Sequence, residues 1–136
     1  MTLVRYTWAD RDSDWLKNYY RRKGRYVSAR DHDSPFFIIV HLKELDGQFW
    51  REYFPETVAR TLREIQGIKS KFPHLDYDLW PPEEIYPETP KDRTILVCGC
   101  FDRDCVEKQR RALIRSGRKA HISDEGTPAL FLIDQD

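Results

Sequence analysis

The residues with the sharpest chemistry are three cysteines inside one short stretch, Val97-Cys98-Gly99-Cys100-Phe101-Asp102-Arg103-Asp104-Cys105. An apolar run precedes them, and acids able to cap a helix follow. The stretch is therefore expected to join a buried strand to the first turn of a helix. Backbone N–H groups and the positive end of the helix dipole gather there. Both lower a thiol pKa and favour anions. Cys98 or Cys100 would be the nucleophile, with Arg103 as the anion clamp.

Phosphatase- and rhodanese-type enzymes use such a loop. This one departs from the phosphatase pattern. The gap between Cys98 and Arg103 is one residue short, and Phe101 and Asp102 stand where glycines or hydroxyls belong. The acids would repel an oxyanion. The competing explanation is that Cys98 and Cys105 are small buried hydrophobes. A metal set of Cys98, Cys100, Cys105 and His121 is a further option. Its first two cysteines are closer in sequence than zinc knuckles place them. No metal is called for.

A second constellation interleaves cations with flat rings: Lys17, Tyr19, Tyr20, Arg21, Arg22, Lys23, Arg25 and Tyr26. Cations neutralise phosphates and rings stack on unpaired bases. A second basic run holds Lys108, Arg110, Arg111, Arg115, Arg118 and Lys119. The expected nucleic-acid-binding residues are Lys17, Tyr20, Arg21, Arg22, Lys23, Arg25, Tyr26, Arg111, Arg115 and Arg118. The alternative is structural, because both runs fall in last helical turns, where cations complement the dipole. Whether they share a face decides between the two.

The histidines, His32, His41, His74 and His121, form no metal-binding pair on one helix turn. No glycine-rich phosphate loop and no Gly-x-Ser-x-Gly elbow is present, so no cofactor is called for.

Periodicity and turn chemistry give the elements that would hold these residues. A strand is expected over Leu3–Trp8 and a helix over Asp12–Lys23, with Trp15, Leu16, Tyr19 and Tyr20 on its apolar side. Arg25–Arg30 reads as a strand. Phe36–Leu45 and Gln48–Phe54 flank Asp46-Gly47, the sequence of a two-residue type I′ turn. That predicts a central β-hairpin with His41 opposite Glu52, and with Phe49 and Tyr53 on the core face. Pro55 opens a helix whose buried stripe is Val58, Leu62, Ile65, Ile68 and Phe72. A proline-rich, acidic strap with Tyr77, Trp80 and Tyr86 runs over Pro73–Asp92. A β-α-β-β unit follows: a strand at Thr94–Cys98, a helix from Asp102 or Asp104 through Ser116, then strands at Lys119–Ser123 and Ala129–Ile133. The first two of these strands should be parallel.

The fold class expected is α/β, with α+β as the alternative. One domain over residues 1–136 holds a mixed sheet, a central hairpin and about three helices. Its parts are residues 1–72, the strap 73–92 and the unit 93–136. Net charge is zero, yet Met1–Arg30 has eight basic residues against three acidic ones. A basic face is therefore compatible with a neutral chain. The clustered, odd-numbered cysteines fit a reducing compartment, and the absence of a leader pattern or a long apolar run points to the cytoplasm and away from membranes. The leading expectation is a small accessory protein acting on single-stranded nucleic acid or a nucleoprotein complex. The second is a cysteine-dependent enzyme using Cys98 or Cys100. The third is an adaptor presenting the Pro81–Pro90 loop to a protein partner. Nothing in the sequence indicates an oligomeric state.

Overall fold

The structure is a computed structural model that describes residues 3–7, 18, 21–100, 105–128 and 131–135. Its elements run β1 (Leu3–Thr7), β2 (Tyr26–Val27), β3 (Phe36–Val40), α1 (Leu42–Leu45), α2 (Gln48–Tyr53), α3 (Pro55–Lys71), β4 (His74–Tyr77), β5 (Ile95–Gly99), α4 (Cys105–Arg115), β6 (Ala120–Ser123) and β7 (Phe131–Gln135). Five strands form one sheet in the order β2-β6-β5-β3-β4. Every pairing in it is parallel. Among the described residues, antiparallel pairing is confined to a separate two-stranded ribbon of β1 and β7, with Arg5 opposite Ile133. The class is α/β.

Strand alternation divides the core between two helical layers. Phe37, Ile39, Leu96 and Cys98 point to one face, where Val58, Ile65 and Ile68 of α3 cover them. Ile38, Val40, Ile95 and Val97 point to the other, against Val106 and Leu113 of α4. These strands have almost no polar position because both of their faces are buried. The handedness of parallel crossovers explains the two layers. The β3-to-β4 connection and the β5-to-β6 connection step across the sheet in opposite directions, so their helices lie on opposite faces.

Pro55 opens α3 as expected, and Val58, Ile65 and Ile68 are buried along it, with Leu62 and Phe72 packed against the same cluster. The pairing of β5 with β6 is parallel as expected. Gly117 ends α4 at φ +90°, where the amide N–H of Arg118 bonds to Leu113.

The central hairpin is corrected. β3 stops at Val40, and the residues around Asp46-Gly47 form two short helices, α1 and α2. Gly47 has φ −82°, so the positive φ of a type I′ turn is absent. Arg51 Nε instead bonds to both the backbone and side-chain oxygens of Asp46 at 2.9 and 2.8 Å. The apolar residues also recur at helical spacing: Leu45 and Trp50 are buried, and Leu42 and Phe54 pack beside them. Short apolar runs satisfy both periods, and the need to cross over to β4 selects the helical one. Phe49 and Tyr53, expected on the core face, are 59% and 61% exposed. His41 does not face Glu52.

Two further boundaries move. The strand expected over Arg25–Arg30 shortens to Tyr26–Val27, followed by a 3₁₀ turn at Ala29–Asp31. The strap begins later than Pro73, because His74–Tyr77 is the edge strand β4. The strap packs on the body. Tyr77 donates its hydroxyl to the Glu84 carbonyl, Gln109 donates to the carbonyls of Pro82 and Glu84, and Arg118 donates to those of Thr89 and Pro90. Burial raises the Tyr77 pKa, which keeps the phenol a donor. Among the described residues, no helix is long and apolar enough to cross a membrane.

Candidate nucleic-acid interface

The cysteine edge comes first because it lies where parallel sheets most often bind ligands. Ligands favour the carboxyl ends of strands at the point where crossovers diverge. Here that point is between β3 and β5. The Cys100 N–H donates to the Val40 carbonyl at 3.0 Å. Gly99 has φ +111°, and a Cβ there would lie 2.1 Å from that carbonyl oxygen. Cys98 and Cys100 lie in the α3 layer and Cys105 in the α4 layer; all three are buried and in no disulfide. The cysteine–histidine metal set is thus divided between two faces of the sheet. Among the described residues, no three His, Cys, Asp or Glu side chains are gathered to hold a metal. Arg103, the expected clamp, lies outside the described residues.

At the end of β3, His41 has φ +51° and is 4% exposed. Its Nε2 is 2.7 Å from the Leu79 carbonyl, which makes Nε2 the protonated nitrogen. Its ring lies 5.3 Å from that of Trp80. Trp80 in turn lies under the ammonium of Lys108, 5.9 Å from the ring centroid, in the first turn of α4.

The same turn also carries Glu107, on which residues of both basic runs act. Glu107 is buried on α4, where Arg110 donates to it at 2.8 and 2.9 Å and Arg111 at 3.0 Å. Burial alone would raise the Glu107 pKa. The hydrogen bond and charge of Arg110, the charge of Arg25 and the hydrogen bond from Arg111 outweigh it and hold the carboxyl below its usual value. Arg25 belongs to the first run and the other two to the second. Nearby, Arg21 forms an ion pair with Asp124, just past β6. Arg22, Lys23, Arg111 and Arg115 are exposed.

Two expected contact residues are corrected. Tyr26 is 1% exposed and packs with Val97, Val106 and Ile122, so its ring cannot stack on a base. Arg118 is buried and its guanidinium is committed to the strap carbonyls and Ser116. Lys17 and Tyr20 lie outside the described residues, as does most of the helix expected over Asp12–Lys23; Asn18, Arg21 and Arg22, which are described, are helical. Sequence reading missed Trp80 as a surface group: it is 63% exposed. A tryptophan among prolines and acids gives no periodicity from which exposure could be read.

His121 also borders this flank. It stacks on His32 at 5.4 Å. Burial, then the charges of His32 and Arg110, lower its pKa. A cleft of about 460 Å³ opens farther along, between α3 and the Asp124–Glu125 turn, with Arg30, Lys71, Glu64 and Glu125 in its lining. Glu125 there accepts from Ser28 Oγ and the Ala29 amide at 3.1 and 2.7 Å, and so caps the 3₁₀ turn. No family model, no curated protein and no solved structure matches the chain.

Proposed function

We propose that the chain is a small nucleic-acid-binding protein, acting on nucleic acid or on a nucleic-acid-bound complex through the flank formed by α4 and the segment before β2. One observation carries the reading: Arg110 and Arg111 of the second basic run hydrogen-bond to Glu107, and the charge of Arg25 from the first run acts on the same carboxylate. Arg22, Lys23 and Arg115 add further charge along the same two segments. A flank that presents several exposed cations can bind a phosphate backbone favourably by releasing its counterions.

The test is fluorescence anisotropy with labelled single-stranded and duplex oligonucleotides. Binding should be salt-sensitive, with log K falling by roughly 0.7 to 0.9 per phosphate contacted for each decade of salt. Arg22→Glu and Arg111→Glu, one from each run, should each weaken binding and flatten that slope. Absence of binding at micromolar protein in about 50 mM salt would reduce the flank to charge balance at helix ends. The cysteine-enzyme reading has a separate test. Cys98 or Cys100 must react with iodoacetamide in the folded protein below about pH 8.5, the ordinary thiol pKa. Alkylation only on unfolding would remove it.

A further inference from the structure

Losing Tyr26 from the interface removes the ring expected to bind bases. A ring beside the first turn of α4 can take its place. Trp80 exposes 63% of its surface, an unusual amount for the largest aromatic side chain. Its position is held from below by His41, which is nearly fully buried and tethered through Nε2 to the Leu79 carbonyl next to Trp80. The strap that carries it is anchored by Tyr77, Gln109 and Arg118. The ring is therefore presented on a rigid support.

Beside it runs a ridge of charge. Lys108, Arg111 and Arg115 are all exposed on α4. Their spacing, three and then four residues, aligns them on one side of the helix. At about 1.5 Å rise per residue the ridge covers about 10 Å, the reach of one to two nucleotides. Lys108 stands over the Trp80 ring, and a base would stack on that face by displacing the flexible lysine ammonium toward a flanking phosphate. Glu107 is buried and pairs with Arg110 and with Arg111, so it balances part of the charge of one ridge residue and leaves its own carboxylate turned from solvent.

Resting on the proposed function, we infer that the ligand is single-stranded nucleic acid, with one unpaired base stacked on Trp80 and its flanking phosphates following Lys108, Arg111 and Arg115. A duplex keeps its bases stacked on each other and can offer this surface only phosphates. The tryptophan then confers strand preference, and the ridge confers charge-driven affinity. Unpaired bases stack on an aromatic ring with little regard to sequence, so recognition should be weakly sequence-dependent.

Anisotropy with three labelled probes of equal length tests this: a single strand, a duplex and an abasic strand. Trp80→Ala should weaken single-strand binding by about tenfold or more and leave duplex and abasic binding unchanged, with no change in salt slope. Trp80→Phe, which keeps a ring, should restore most of the loss. Circular dichroism should show both variants folded, because the side chain is mostly outside the core. Single-strand affinity unchanged by Trp80→Ala, or an abasic strand bound as tightly as the base-bearing one, would overturn the inference while leaving charge-driven binding in place. Failure of the unmodified protein to bind any probe would overturn the function and the inference together.

Discussion

β3 and β5 are neighbours, run parallel and end side by side, and both leave the sheet through a residue with positive φ. At β5 the residue is Gly99, with φ +111°; at β3 it is His41, with φ +51°. The reasons differ. Gly99 is a matter of space, since any Cβ would collide with the Val40 backbone. At His41 a side chain is present despite the conformation, and left-handed backbone costs a non-glycine residue about 1–2 kcal/mol. What the imidazole provides is the link to Leu79 and the underside of Trp80. At one strand end the close approach of backbone requires glycine, and at the other a side chain is kept in place despite the conformation.

The largest expected effect breaks the first half of that comparison. Gly99→Ala should destabilise the protein by about 3 kcal/mol or more, because the obstacle is backbone at a sheet centre and cannot turn aside. Urea unfolding measures it. Stability within error of the unmodified protein would show that the two strand ends do not approach as described.

His41 sharpens the second half. His41→Val should cost about 1–3 kcal/mol, since a β-branched residue resists positive φ and the Leu79 carbonyl loses its donor. His41→Gly removes the strain as well as the donor, so its stability should stay within about 1 kcal/mol of the parent. Yet both variants should lose affinity for single strands, because both remove the support under Trp80. Equal stability losses for Val and Gly would mean that conformation is not what the histidine contends with.

How much of this was legible beforehand follows the same division. The buried strand at residues 95–99, the helix after it and the stripe of α3 could be read, because each is a long apolar pattern with one solution. Asp46-Gly47 misled because a local turn signal is only as good as the strands beside it, and Gly47 turned out to begin a helix. β4 was hidden by its length of four residues with polar His74 and Asp76. At the interface, the basic residues were visible as composition, while their convergence on Glu107 depends on the order of β2 beside β6. Strand order is a tertiary property that no local pattern encodes. Tyr26 looked like a binding ring because its neighbours are cations, but a two-residue edge strand still needs one large side chain to bind it to the core.

Glu107 links stability to binding. Glu107→Gln should cost about 1–2 kcal/mol by leaving Arg110 and Arg111 with a neutral partner. It should simultaneously tighten binding to phosphate backbones, because the flank gains net positive charge. The folded carboxyl has its pKa held below the ordinary 4.5, so its contribution is complete above that value and is lost as pH falls through the folded one. The acid limb of stability should therefore be shallower in the variant. A variant that loses both stability and affinity would place Glu107 in contact with the ligand instead.

The smallest effect concerns His121, whose folded pKa lies below the ordinary 6.5 because of burial and of the neighbouring His32 and Arg110. The unfolded chain takes up this proton before the folded one does. Stability from this group is therefore present above about pH 6.5 and is lost as pH falls toward the folded value, at no more than about 1.4 kcal/mol per pH unit. His121→Gln should remove that slope and leave the stability near pH 7.5 nearly unchanged. Urea midpoints at about pH 7.5 and about pH 5.5 measure the difference between the two proteins, which reports His121 together with its coupling to His32. The sign matters for the flank. A protonated His121 would sit beside Arg110 and His32, so the same repulsion that destabilises the fold adds positive charge where phosphates would bind. Bound nucleic acid should then raise the His121 pKa and reduce the acid loss of stability. An acid slope unaffected by the ligand would separate the stacked histidines from the interface and confine phosphate contacts to α4 and the segment before β2.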